Sequence, residues 1–196
     1  MLPGYNLRMN AVRHEVPPGL LDERRRTGCD RLDEVWAGVP HIVPPPSLPH
    51  QDVEYELEQA LRLIAARRGL RTFHNIGLVV PGTGWNDYRV PDLSVAHPTQ
   101  LSERALEGRA ELVVEILSPR DESRDKLPFY DGRGVREVWL VEPATRGVEV
   151  FALRGRAYDI VPMIGGAIRA PVFEIELRVV DGPRLRLTDG PFTAEV

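Results

Sequence analysis

The stretch from Leu112 to Glu142 constrains the fold more than any other, because it reads as a strand, a helix and a second strand in direct succession. Leu112-Val-Val-Glu-Ile-Leu117 is a nearly unbroken apolar run, the pattern of a central strand covered on both faces. Arg124 to Arg133 is predicted to be helical, with Pro128 tolerable in the first turn, where a missing N–H breaks no bond. Gly132 and Gly134 end that helix, and Glu137-Val-Trp-Leu-Val-Glu142 is the second strand. Such a unit is expected to be a right-handed crossover between parallel strands.

The flanking sequence extends this unit in both directions. Val53, Leu57, Ala60, Leu61 and Ile64 fall at helical spacing and Gly69 supplies a stop, so a helix is predicted from about 51 to 68. Ile76 to Val80 and Tyr88 to Ala96 are β-rich runs. Pro81-Gly-Thr-Gly84 between them is a turn, and it is no phosphate loop because no Gly-Lys-Ser/Thr follows. Val148 to Leu153 pairs with the 137–142 strand as a hairpin, and further β pieces are expected at 157–162, 172–180 and 184–187. Upstream, Val35 to Val43 suits a short hairpin around Ala37-Gly38, stopped by Pro44-Pro-Pro46. Residues 1–34 read as a peripheral arm whose Asp22-Glu-Arg-Arg-Arg26 run is a solvated helix or loop. The expected order is helix, three strands, helix, strand, then hairpins: an α/β mixed sheet with helices packed on it, in one domain over 35–196.

Composition excludes several classes. The single Cys29 cannot form an internal disulfide, and no Cys/His cluster has zinc spacing. No apolar run approaches the ~18 residues of a membrane span, and Met1 to Glu15 lacks an apolar signal core, so a cytoplasmic protein is the expectation. The net charge of -4 leaves nucleic-acid binding open, because a local basic patch can coexist with an acidic remainder.

Two residues break the pattern in ways that point to chemistry. Glu115 interrupts its apolar strand, and a carboxylate there must end up neutral, paired or bound to a cation. Lys126 is the only lysine among 25 Lys+Arg positions. A chain that uses guanidinium everywhere else keeps one compact ammonium, eleven residues beyond Glu115. From the start of the following helix, that amine can reach back to the end of the Glu115 strand and act on a water or a developing negative charge. Asp92, in Arg89-Val-Pro-Asp-Leu-Ser-Val-Ala96, gains weight if its strand lies beside that of Glu115. Two carboxylates with no histidine or thiol nearby would favour Mg²⁺ or Mn²⁺ over zinc.

Pro91-Asp92, Val113-Val-Glu-Ile-Leu-Ser-Pro119, Asp125-Lys-Leu-Pro-Phe-Tyr130 and Gly134-Val-Arg-Glu-Val-Trp-Leu-Val-Glu-Pro143 together resemble the Uma2 family of the PD-(D/E)XK nuclease superfamily. Gly38-Val-Pro-His-Ile-Val-Pro-Pro-Pro-Ser47 and His50-Gln51 are similar to that family's entry to its first helix. The resemblance spans roughly residues 35 to 190. It implies a restriction-endonuclease-like α-β-β-β-α-β core and Mg²⁺-dependent endonuclease chemistry on phosphodiesters. It also implies that Asp92 and Glu115 bind metal, with the Ile116 carbonyl as a further ligand and Lys126 as the water-orienting cation. Such sites sometimes add an acid from the first helix, for which Glu54 and Glu56 are the candidates. One departure is evident: the superfamily's usual lysine lies two residues after the glutamate, where this chain has Leu117, so Lys126 is its stand-in.

The expected partner is nucleic acid, DNA first. Arg67, Arg68, Arg71, Arg89, Arg120 and Arg124 are candidate phosphate contacts. A homodimer would suit the cutting of both strands. The competing reading is a non-catalytic binding or regulatory domain on a nuclease scaffold. A carboxylate-pair glycoside hydrolase is a third, and it leaves Lys126 without a role.

Overall fold

The computed structural model describes residues 19–80, 82, 84–103, 105–119 and 122–196. Residues 1–18 of the arm, Pro81 and Thr83 of the expected turn, Arg120 and Asp121 lie outside these.

The described residues open with helix α1 (Leu20–Thr27) and a tight hairpin, β1 (Glu34–Trp36) and β2 (Val39–His41). Its two-residue turn needs positive φ at both positions, supplied by Ala37 at 48° and Gly38 at 87°. Arg24 joins α1 to the hairpin, donating to both oxygens of Asp33 at 2.6 Å, while Asp33 Oδ1 also accepts from the Val43 amide. The rest of the arginine run is spent locally: Arg25 pairs with Asp22 and Arg26 with Glu23.

Helix α2 (Leu48–Ala66) starts earlier than its apolar stripe predicts. Ser47 caps it by accepting from the His50 amide, and Pro49 sits in the first turn, where its ring is tolerated. Strands β3 (Arg71–His74), β4 (Gly77–Val79), β5 (Tyr88–Arg89), β6 (Leu93–Ala96), β7 (Ala105–Leu106) and β8 (Ala110–Ile116) follow. The Tyr88–Ala96 run is therefore two strands in different sheets, broken at Val90-Pro-Asp92. After β8 a 3-10 turn (Ser123–Lys126) leads into α3 (Leu127–Gly132), so the predicted single helix is a tighter turn joined to a short α-helix with Pro128 in its first turn.

Strands β9 (Glu137–Val141), β10 (Val148–Arg154) and β11 (Ala157–Ile160) come next. Then β12 (Ile168–Ala170), β13 (Ile175–Val180), β14 (Arg184–Asp189) and β15 (Phe192–Glu195) make a separate four-stranded antiparallel sheet.

The main sheet has the order β11-β10-β9-β8-β6-β3. Its β8–β9 pair is parallel, as the crossover requires, and its other pairs are antiparallel. Along the chain, α2, β3, β6, β8, α3 and β9 trace the expected α-β-β-β-α-β order, but its first strand is β3 and not the expected Ile76–Val80 run, whose residues Gly77–Val79 form β4 of another sheet. A smaller sheet, β2-β1-β5-β4-β7, is threaded through it.

The alternation of β8 sets the two layers. Leu112, Val114 and Ile116 pack with Val53, Leu57, Leu61 and Ile64 of α2 and with Ile175, Leu177, Leu185 and Leu187 of the terminal sheet. Val113 joins Tyr130, Val135, Val138 and Leu140 on the opposite face. Each fully buried Leu or Ile contributes about 1.5–3 kcal/mol through burial, so α2 is held by its stripe. Glu115 belongs by alternation with Val113, on the Tyr130 side. Among the described residues no helix is long and apolar enough to cross a membrane.

Candidate active site

Where β8 ends, a cavity of about 230 Å³ opens, and Glu34, His50, Glu54, Asp92, Glu115 and Lys126 all line it. Four elements and one sheet-to-sheet step bring them there. Leu93 lies opposite Val114 in the antiparallel β6–β8 pair, which puts Asp92 at the level of Glu115. Pro91 ends β5's sheet and releases the chain into β6, so Asp92 stands at the strand's entrance. Its Oδ2 accepts from the Ile116 amide at 2.7 Å, and its own carbonyl accepts from the Asn75 amide. Ile116 thus meets Asp92 through its N–H.

Lys126 reaches Glu115 from the last residue of the 3-10 turn. Its Nζ donates to both Glu115 oxygens at 3.1 Å and lies 3.0 Å from Glu34 Oε1. The Tyr130 hydroxyl, one turn further along α3, donates to Glu115 Oε1. Burial pushes the Glu115 carboxyl upward, and the Lys126 ammonium opposes that. Burial also acts against the Lys126 charge, but Glu115, Glu34 and Asp92 outweigh it and raise the amine above its ordinary range. Glu115 is buried, Lys126 nearly so, and the two are in direct contact. The Tyr130 phenol is likewise driven up, by burial and then by the Glu115 charge.

Helix α2 supplies the other side of the cavity. His50 and Glu54 are one turn apart on its inner face, and their spacing of four is the signal by which sequence alone could have found them. His50 Nε2 is 3.2 Å from Asp92 Oδ1, and Glu54 receives Asn75 Nδ2 at 3.3 Å and His74 Nδ1 at 2.7 Å. The expectation of two carboxylates with no histidine nearby is therefore corrected: an imidazole stands in the site, brought by the helix cap at Ser47. Burial disfavours the charged form of His50, yet the hydrogen bond and charge of Asp92, with Glu54 and Glu115 behind, raise its pKa. Burial and then the Asp92 charge push the Glu54 carboxyl up to about 7.

Of the two first-helix acids, Glu54 faces the cavity, whereas Glu56 pairs with Arg146. Glu34 was not anticipated, and nothing in its local sequence marks it. The candidate phosphate contacts are otherwise engaged. Arg67 and Arg68 bind Asp189, Arg71 lies over the Phe73 ring and Arg124 pairs with Glu149. Arg89 is buried between the Trp36 and Phe129 rings, and Arg120 lies outside the described residues.

The donor set fits a divalent cation. One ligand atom each from His50, Glu54 and Asp92 lies within 4.8 Å of the others, and Glu34, Glu54, Asp92, Glu115 and Glu122 line one cavity with the Lys126 amine. Carboxylate oxygens with one imidazole suit Mn²⁺ or Mg²⁺; the lone thiol, Cys29, is exposed and does not line the cavity.

A family model described as "Uma2: Putative restriction endonuclease" matches residues 30–180. Among solved structures, the chain is similar in fold to a crystal structure titled as a putative nuclease belonging to DUF820 from Anabaena variabilis. The TM-score is 0.58 at 18% identity, covering 72% of this chain and 83% of that one. No curated protein matches. With the family match running from the hairpin that carries Glu34 to the end of β13, this chain is a member of the Uma2 family.

Proposed function

We propose that this chain is a metal-dependent endonuclease that hydrolyses phosphodiester bonds of nucleic acid, with DNA as its first substrate, and that Asp92, Glu115 and Lys126 are its catalytic residues. The observation that carries this reading is the Lys126–Glu115 contact. The one lysine of the chain meets the acid of β8 from a different element, which supports its serving as the counterpart of the superfamily's strand lysine.

Asp92, Glu54 and His50 would hold the cation, with Glu115 turning an oxygen toward it and the Ile116 carbonyl as a further ligand. When bound, a divalent cation would polarise the scissile phosphate and lower the pKa of a water. The chain's own groups do the rest. Lys126 Nζ, fixed by two carboxylates, orients the attacking water and stands where negative charge grows on the phosphorus oxygens. Tyr130 holds the Glu115 carboxylate in one rotamer. The Ile116 amide holds Asp92 through Oδ2 as Tyr130 holds Glu115 through Oε1, so each acid is anchored at one oxygen and keeps a second that can turn to the cation. The buried cavity lowers the local dielectric, which strengthens each of these interactions. A homodimer would bring two such sites to one duplex.

The test is cleavage of supercoiled plasmid and of single-stranded DNA and RNA by the purified protein with Mg²⁺ or Mn²⁺. Asp92→Asn, Glu115→Gln and Lys126→Met serve as controls. Divalent-dependent nicking that all three variants abolish supports the reading. Divalent binding without cleavage of any nucleic acid would instead favour a non-catalytic scaffold.

A further inference from the structure

Glu34 is a buried carboxyl group to which the mechanism above gives no role beyond its contact with Lys126. It is 2% exposed, and all of its contacts are specific. Oε1 accepts from the Val90 amide at 2.8 Å and lies 3.0 Å from Lys126 Nζ, while Oε2 accepts from Trp36 Nε1 at 2.7 Å. Trp36 in turn is clamped, stacked on His41 at 4.0 Å and under the Arg89 guanidinium at 4.4 Å. The hairpin is also tied to the turn that carries Lys126, because His41 Nδ1 meets Glu122 Oε2 at 3.2 Å. Glu34 is therefore locked by its own hairpin, whereas Glu115 faces Asp92 and the cation-holding set.

An ammonium and a divalent cation sharing one largely buried cavity repel each other. If Glu115 were the only counter-charge, turning one of its oxygens to the cation would leave Lys126 under-neutralised and push the amine toward water. We infer that Glu34 is a positioning residue that keeps the Lys126 amine in place when Glu115 engages the cation. The inference rests on the reading of the site as cation-dependent. Ammonium has three N–H donors, enough to keep Glu34 while one is turned to a water.

Because Lys126 is the only lysine, side-chain ¹⁵N labelling of lysine gives one ammonium signal in this 196-residue chain. In the wild type that signal should stay protected from solvent exchange through a Mg²⁺ titration. In Glu34→Gln it should be protected without Mg²⁺ and lost as Mg²⁺ saturates. The same variant should lower kcat about 10- to 100-fold, with KM and Mg²⁺ affinity nearly unchanged. Since the Gln amide can oppose the Trp36 N–H, Glu34→Gln is also made with Trp36→Phe, against Trp36→Phe alone. A protected signal at saturating Mg²⁺ in Glu34→Gln, with kcat unchanged, overturns the role of Glu34 and leaves the nuclease reading standing. So does loss of the signal before any Mg²⁺ is added in both Glu34 variants, which would mark a purely structural residue. Wild-type protein that neither binds Mg²⁺ nor cleaves nucleic acid overturns both.

Discussion

Lys126 Nζ sits 3.1 Å from each oxygen of Glu115, although the two residues are eleven positions apart and belong to different elements. A lysine two residues along the same strand would point to the same face as the glutamate by alternation alone. Here the apolar Leu117 occupies that position, and the amine arrives instead from the end of a 3-10 turn capped onto α3. An ammonium meets the strand's glutamate, and a different element delivers it.

That delivery makes the ammonium specific. Lys126→Arg should not rescue activity, because a planar fork cannot occupy the point between Glu34 and Glu115 that a compact charge fills. Lys126→Met should lose at least about 100-fold in kcat, as removal of one oxyanion-stabilising donor does. It should also cost about 3–5 kcal/mol of stability, since two buried carboxylates lose their counter-ion. Steady-state cleavage kinetics and urea unfolding of both variants check this. Wild-type rates in Lys126→Arg would remove the case for a specific ammonium.

His50 should set the choice of cation. An imidazole among carboxylates favours Mn²⁺ relative to Mg²⁺. His50→Ala should weaken Mn²⁺ by at least the about 10- to 100-fold that loss of an outer-shell partner costs, and Mg²⁺ by less. Calorimetric titration of both ions into wild type and variant reads this directly. Equal losses for the two ions would mean that His50 only orients Asp92.

The distribution of what was legible in the sequence follows from the range of each interaction. β8, β9, β10 and α3 are written in contiguous apolar runs and stop signals, so they could be read locally, and so could the parallel pairing that follows from the crossover. Glu115 and Lys126 were conspicuous because each violates its surroundings, one an acid in an apolar strand and the other a lone lysine. β3 was not read, since Arg71-Thr-Phe-His74 is a four-residue edge strand, exposed at both ends, whose strand partner among the described residues is β6 alone. Tyr88–Ala96 was read as one strand because propensity does not register that Pro91 hands the chain from one sheet to another. Glu34 was invisible, for its partners other than Trp36 lie 56 residues away at Val90 and further still at Lys126. Only the closed hairpin turns it inward.

Glu137 offers a structural counterpart to these acids. It is fully buried at the head of β9, where Oε1 accepts from Trp139 Nε1 at 2.6 Å and Oε2 from the Val172 amide at 2.9 Å, linking the main sheet to the segment before β13. Glutamine supplies one acceptor in place of two, so Glu137→Gln should cost about 1–3 kcal/mol by leaving a donor unmatched. Urea midpoints of the two proteins give the difference, and the folded variant should bind Mg²⁺ as the wild type does.

The join between α2 and the terminal sheet should make stability depend on acid. Asp189, on β14, takes Arg68 through both oxygens at 2.9 and 2.7 Å and Arg67 at 2.6 Å. The Arg68 hydrogen bonds hold its carboxyl below the ordinary range despite partial burial, helped by the charges of Arg68 and Arg67. A carboxyl that binds protons less readily folded than unfolded stabilises the fold above the unfolded value of about 3.9, and that contribution fades as pH falls through the folded one. Arg67 and Arg68 are 43% and 29% exposed, so solvent screens the pair and about 1–2 kcal/mol is expected from it at pH 7. Asp189→Asn should therefore unfold at lower urea than wild type at pH 7, and the gap should narrow steadily below about pH 4. A gap that is the same at pH 7 and pH 3 would mean the contact acts through shape and hydrogen bonding alone, with no contribution from its charge.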